Sequence, residues 1–198
     1  HVHVLAFDVQ HANKHHEAAA YIKQSIGNLD MVFFNAGGCD YVTAEQFNAQ
    51  PFEHMINTNF MSVVHGLAAT LPLLKKSQHG HIIGISSAIA YGGLGRASAY
   101  GASKAAMKNM LECLRIDLLD TPVFVSIACP GFIDTPLTKK NNFEMPGLIS
   151  ANQAAKHILR KTAAKQYEII TPRWFCYLMK LIHSIPTPLG LLFTKYTR

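Results

Sequence analysis

The feature that most constrains this chain is a set of apolar runs too short for typical helices and too uniform for half-exposed strands. "LDMVFFNAGG" (29–38), "GHIIGISS" (80–87) and "TPVFVSIACPG" (121–131) each place apolar residues at consecutive positions and end in small or polar ones. A strand wetted on one side alternates, whereas a strand covered on both sides does not. The runs therefore predict a parallel sheet held between helices. "HVHVLAFDV" (1–9), alternating and β-branched, and the short "YEIITP" (167–172) are read as two more strands.

The gaps between these runs are helix-sized. Residues 13–26 are Ala-rich and stop at Gly27, and 51–75 open on Pro51. Residues 98–119 carry Met107, Met110, Leu111, Leu114 and Leu118 at helical spacing and end before Thr121-Pro122, and 150–165 begin at Ser150. Strand and helix in alternation give an α/β fold, a doubly wound, Rossmann-like parallel sheet in three layers, α/β/α. A chain of 198 residues supports one good core. The expected organisation is one domain over 1–172, followed by a basic, apolar C-terminal extension over 173–198.

With 49% hydrophobic and 15% charged residues, the composition excludes a disordered chain. Cys39, Cys113, Cys129 and Cys176 form no CxxC pair, which points to a reducing, cytoplasmic setting. The net charge of +6 is uneven: residues 1–155 hold 10 Lys and Arg against 11 Asp and Glu, and residues 156–198 hold 8 against 1. Basicity confined to the tail gives no reason to expect a nucleic-acid partner.

In open parallel sheets ligands bind beyond the carboxyl ends of the strands. Those ends are Asp8, "NAGG" (35–38), "SS" (86–87) and "CPG" (129–131). In the helix read over 98–119, Tyr100 and Lys104 stand at i and i+4 and share a face. A phenol is a poor acid at neutral pH, and a neighbouring ammonium favours its phenolate, so Lys104 is expected to bring Tyr100 toward a useful pKa. Ser87, thirteen residues earlier at a strand end, could bond the oxygen that the phenol protonates, with Ser86 as its competitor. Asn59 stands in mid-helix, where asparagine has poor propensity, and Asn57 is equally available for the same duty.

Taken in register, these segments resemble the classical short-chain dehydrogenases/reductases. "FNAGG" (34–38) is similar to the family's Asn-Ala-Gly motif, "GISS" (84–87) to its serine strand, "YGASK" (100–104) to its Tyr-xxx-Lys and "PGFIDTP" (130–136) to its Pro-Gly motif and threonine. The resemblance implies an enzyme that interconverts a carbonyl and an alcohol by hydride transfer with NADP or NAD. Tyr100 would be the acid/base, Lys104 would tune it and bond the nicotinamide ribose, Ser87 would orient the carbonyl, and Asn59 would anchor a water relay. Asn35, Ala36, Gly37, Pro130 and Gly131 would line the cofactor groove, Thr135 would meet the carboxamide, and Asp8 would approach the adenine.

The resemblance further implies a homodimer or homotetramer paired through 51–75 and 98–119, and a variable substrate lid at 137–150. It also implies a missing part. The family's glycine-rich phosphate loop has no counterpart, "GGLGRAS" (92–98) lying in the wrong context. An N-terminal βαβ unit is therefore expected upstream of His1. Two other readings stand beside the enzyme: a noncatalytic scaffold that keeps the fold, and a sugar-nucleotide epimerase, which "NAGG" and the short region after 137 disfavour.

His11, His15 and His16, and the pair His1 and His3, have chelating spacing, but no carboxylate or cysteine completes a set, and no metal site is expected. Residues 174–193 are apolar yet carry Lys180, His183, Pro186 and Pro188, which argues against a transmembrane span. Their broad apolar face is expected to pack on the domain or a partner subunit. A peripheral membrane contact, with a lipophilic substrate, is the alternative.

Overall fold

The computed structural model describes residues 1–185. Four strands form one parallel sheet: β1 (Met31–Phe34), β2 (His81–Ile85), β3 (Phe124–Pro130) and, after the short β4 (Ile133–Asp134) and β5 (Ile149–Ser150), β6 (Glu168–Thr171). Their order across the sheet is β1, β2, β3, β6, while β4 and β5 pair with each other apart from it. Six α-helices accompany them: α1 (Ala12–Ser25), α2 (Gln50–Ile56), α3 (Ser62–Leu74), α4 (Ser98–Asp117), α5 (Ala151–Ala163) and α6 (Arg173–Ser184).

In β2 and β3 the uniform runs have the expected cause, since neighbouring residues point to opposite layers and both are covered; β1 departs from the expectation, being covered on one face only, with Met31 and Phe33 exposed. Ile82, Val125, Ile127 and Cys129 pack with Val63, Leu67 and Leu74 of α3 and Met107 and Leu111 of α4. Ala128 and Ile169 face the other way, onto Ile158 of α5. α5 starts where its serine predicts: Ser150 Oγ accepts from the Gln153 amide at 3.2 Å, and Gln153 Oε1 accepts from the Ser150 amide at 3.0 Å, a capping box.

Three expectations need correction. Residues 1–8 form no strand, because no segment among the described residues pairs with them, and alternation without a ladder leaves Val2 and Val4 in solvent. The run 29–38 gives a strand of only four residues, since after Phe34 the chain leaves the sheet and Gly38 bonds Asn59 through both its amide and its carbonyl. The helix read as uniform over 51–75 is broken by a π-turn, Asn57–Met61, between α2 and α3.

His81 opens the central strand, 3% exposed, with its Nε2 2.8 Å from Ser126 Oγ. Ser126 gives its only proton to the Gln166 carbonyl at 2.8 Å, so His81 must be the donor to Ser126 and carries its proton on Nε2. Burial, aided by the Lys165 charge, lowers its pKa to about 4. Below the ordinary histidine pKa of about 6.5 the unfolded chain takes up a proton that the folded chain refuses, so stability present above that pH is lost as pH falls toward the folded value. The expected loss is on the order of 3 kcal/mol. Urea titrations at several pH values should show that excess acid sensitivity in the native chain and not in His81→Gln. Equal pH slopes in the two proteins would remove the assignment.

α6 is tied down by a polar cluster. Tyr91 hydroxyl donates to Glu168 Oε1 at 2.8 Å, Lys180 ion-pairs with Glu168, and its ammonium stands 4.8 Å from the Tyr91 ring centroid. The short turn that carries Tyr91 and the helix that carries Lys180 are thereby both held to Glu168, the first residue of β6.

Candidate active site

The site is assembled where α4 meets the end of β2. Two hydrogen bonds join them: Ser86 Oγ donates to the Lys104 carbonyl at 3.0 Å, and Lys104 Nζ donates to the Ile85 carbonyl at 2.8 Å. They give the paired serines different surroundings. Ser86, 3% exposed, is spent on holding the helix, whereas Ser87 caps the short 3₁₀ turn Ala88–Tyr91, accepting from the Ile89 amide at 3.3 Å, and bonds the Tyr100 hydroxyl.

The two asparagines differ as well. Asn59 is fully buried, and Asn57 is exposed. Asn59 Nδ2 donates to the Gly38 carbonyl at 3.0 Å and to Ser103 Oγ at 2.8 Å, while its Oδ1 accepts from the Gly38 amide at 2.8 Å. The π-turn sets this asparagine between the loop after β1 and α4, a placement often seen where such turns serve a site. Ser103, which sequence reasoning missed, passes its own proton to the Tyr100 carbonyl at 2.7 Å. It stands within "YGASK", and its small polar side chain at i+3 from Tyr100 was the available signal.

The expected direction of the Tyr100 shift is reversed. Burial pushes its pKa up to about 12, with the Ser87 bond pulling the other way, and burial pushes Lys104 down to about 8. Lys104 Nζ is aimed at the Ile85 carbonyl and lies 6.0 Å from the Tyr100 ring centroid, and desolvation is the largest influence on the phenol.

The other residues expected at the site differ in shelter, and Asp8 stands at no strand end, because residues 1–8 form no strand. Asn35, Ala36 and Gly37 are exposed along the loop after β1. Pro130 closes β3, buried, and the Gly131 amide donates to the Thr171 carbonyl at 2.8 Å. Thr135 follows β4, its amide donating to Thr138 Oγ1 at 3.0 Å. Asp8 is exposed and accepts from the Gln10 amide at 2.9 Å in the turn before α1. His15 spends Nε2 on the Val9 carbonyl at 2.8 Å and His3 bonds Tyr21 at 2.7 Å. Among the described residues no three His, Cys, Asp or Glu converge as metal ligands.

Ser87 and Tyr100 open onto a cavity of about 950 Å³. Its walls are largely apolar, with Ile89, Leu94, Phe132, Leu137, Met145 and Met179 among them, and the segment 137–146 covers one side. Tyr41 latches that segment, its hydroxyl donating to Asn141 Oδ1 at 2.6 Å, while Arg96 stacks over its ring at 5.4 Å. Cys39, Tyr41 and Arg96 carry no sequence signal of their own, since only folding brings their loops to the cavity.

A serine, a tyrosine and a buried lysine thus gather at the carboxyl edge of a parallel α/β sheet, where ligands bind in open folds of this class. The chain belongs to the short chain dehydrogenase family, whose family model matches residues 1–146. It is 31% identical over 185 residues to an uncharacterized oxidoreductase of Myxococcus xanthus, covering 93% of this chain and 73% of that one. It is 33% identical over 166 residues to 11-beta-hydroxysteroid dehydrogenase-like 2 of Arabidopsis thaliana, covering 81% and 53%. The chain thus spans between about half and three quarters of the lengths of these relatives. The fold is shared with a short chain dehydrogenase from Burkholderia cenocepacia solved in complex with NADP, at a TM-score of 0.81 and 21% identity, covering 93% of this chain and 74% of that one.

Proposed function

We propose that the full-length protein is an NAD(P)-dependent oxidoreductase that interconverts a carbonyl and an alcohol, with Tyr100 as acid/base. The observation that carries this reading is the bonded pair of hydroxyls, Ser87 and Tyr100, on the wall of a large apolar cavity, with the buried ammonium of Lys104 on the same helix.

The residues present fit the nicotinamide end of a dinucleotide. A Cβ built on Gly37 would lie 2.9 Å from Asn59 Oδ1 and 3.4 Å from Lys104 Nζ, so the bare backbone there leaves a small polar space between loop and helix. An ammonium has three N–H groups, and Lys104 gives one to Ile85, which leaves donors for ribose hydroxyls. Asn35, Ala36, Gly37, Pro130, Gly131 and Thr135 would line that groove, and Asp8 would lie toward the adenine. The bound cofactor supplies the hydride. Asn59, held from three sides, keeps Gly38 and Ser103 in place around Lys104, from which a water relay would run.

A carbonyl oxygen entering between Ser87 and Tyr100 accepts from both hydroxyls. With its pKa up at about 12, Tyr100 is a neutral phenol near neutral pH and ready to donate its proton, which suits reduction. Oxidation needs the phenolate and should rise with pH. The apolar cavity suits a lipophilic substrate. A second copy of the chain is the proposed partner through the outer sides of α3 and α4, where Leu67, Leu71, Met110 and Leu114 line a shallow groove.

The test is NADPH- and NADH-dependent reduction of a carbonyl panel by full-length protein, followed by nicotinamide fluorescence. Ser87→Ala should lower kcat/KM by about 10²-fold, whereas Ser86→Ala should mainly lower thermal stability. A protein that neither enhances cofactor fluorescence nor turns over any carbonyl would favour the noncatalytic scaffold.

A further inference from the structure

α6 presents apolar residues on two sides. Phe175, Cys176 and Met179 are buried, and Phe175 and Met179 wall the cavity. On the outer side Trp174, Tyr177, Leu178 and Leu181 are 57%, 52%, 44% and 62% exposed. Their spacing of i, i+3, i+4 and i+7 puts them on one helical stripe. Four large apolar side chains in one exposed row mark a contact surface. The cover of the cavity extends it, because Phe143 and Leu148 are exposed and Gly147 lies against the Trp174 ring, where a Cβ would be 3.0 Å from Cζ2.

The charge around the stripe selects the partner. Residues 139–184, the cover included, hold eight Lys and Arg and two acids, exposed Glu144 and Glu168, the latter already engaged by Lys180 and Tyr91. Arg173 stacks over the Tyr177 ring at 5.7 Å, so one cation lies on the stripe itself. Arg160 and Lys161 of α5 and Arg173 converge near His157, whose pKa is lowered by burial and then by these three charges. A symmetric contact with a second copy would bring two such cationic surfaces together, and an anionic surface would be complementary. A tryptophan, a tyrosine and two leucines beside arginines and a lysine make up the composition of a helix lying in a lipid interface.

We propose that α6 docks this stripe onto an anionic lipid bilayer, with Trp174, Tyr177, Leu178 and Leu181 entering the headgroup boundary and Arg160, Lys161 and Arg173 meeting the phosphates. This contact stands apart from the catalytic reading and is read without an activity assay. It lies along the surface: among the described residues no helix is long and apolar enough to cross a membrane. Residues 186–198, the remainder of the expected extension, lie outside the described residues.

Trp174 is the chain's only tryptophan, so its emission reports the contact directly. The full chain is mixed with vesicles of phosphatidylcholine alone or of phosphatidylcholine and phosphatidylserine in equal parts, and scored by Trp174 emission, quenching by brominated lipid and co-sedimentation. Serine-containing vesicles should shift the emission to the blue, permit quenching and sediment the protein. Leu178→Ser/Leu181→Ser and, separately, Arg160→Gln/Lys161→Gln should each weaken binding about tenfold or more, with far-UV circular dichroism and thermal midpoint retained. Emission unchanged by serine-containing vesicles, or equal binding to pure phosphatidylcholine, would overturn the proposal. So would a blue shift that follows protein concentration in the absence of lipid, since that is the mark of a second copy.

Discussion

Tyr100→Phe should lower turnover of the full-length protein by about 10³-fold or more while its thermal midpoint stays nearly unchanged. The substitution removes one oxygen from the cavity wall. The ring's packing remains, and the bond lost is the one to Ser87, whose Oγ still accepts from the Ile89 amide. No other phenol of the cavity region can take over. Tyr41 spends its hydroxyl on Asn141, and Tyr91 spends its own on Glu168. Steady-state rates beside a melting curve check this, and cofactor fluorescence should show binding retained. A variant that keeps most of its rate would mean that the proton comes from elsewhere.

Gly84→Ala is the largest structural effect expected. Gly84 lies in β2, paired with Phe34 on one side and Ile127 on the other, directly beneath α4. A Cβ there would collide with Leu111 Cδ1 and lie 3.5 Å from Met107 sulfur, both side chains being fully buried. A packed interior has no room to yield, so the helix must lift or the strand must bend. The cost should be about 3 kcal/mol, roughly 6–12 °C in melting temperature. Activity should fall with it, because the same helix carries Tyr100 and Lys104. In Gly84→Ala/Leu111→Ala the clash is relieved, and the double variant should lose less than the sum of the two singles. Strict additivity would show that the contact is not the cause.

Much of the fold could be read because burial on both faces leaves an unmistakable mark on strands such as 80–87 and 121–131. What could not be read was pairing. Residues 1–9 have the alternation of a strand but make no ladder, since a ladder needs a partner and a local pattern does not reveal one. The motifs put Ser87, Tyr100 and Lys104 on neighbouring elements, yet the different surroundings of Ser86 and Ser87, and of Asn57 and Asn59, become visible only with the burial of each. The direction of the Tyr100 shift depends on desolvation and on where the Lys104 ammonium points, and sequence spacing carries neither. Cavity residues such as Tyr41 and Arg96 were invisible for the same reason: they meet across long separations in the chain.

The π-turn at Asn57–Met61 makes chain length itself part of the site. It works as a one-residue shim. An α-helix advances about 100° per residue, so the extra residue lets α2 keep Met55 inward and α3 keep Val63 and Leu67 inward although the two stretches are out of phase. Deleting any one residue of the turn would restore an uninterrupted helical ladder and suit the local backbone better. It would also rotate one stretch by about a quarter turn, carrying either its apolar face or the amide of Asn59 away from its partners. The grip on Gly38 is therefore a matter of reading frame along the helix as much as of which side chain stands at 59.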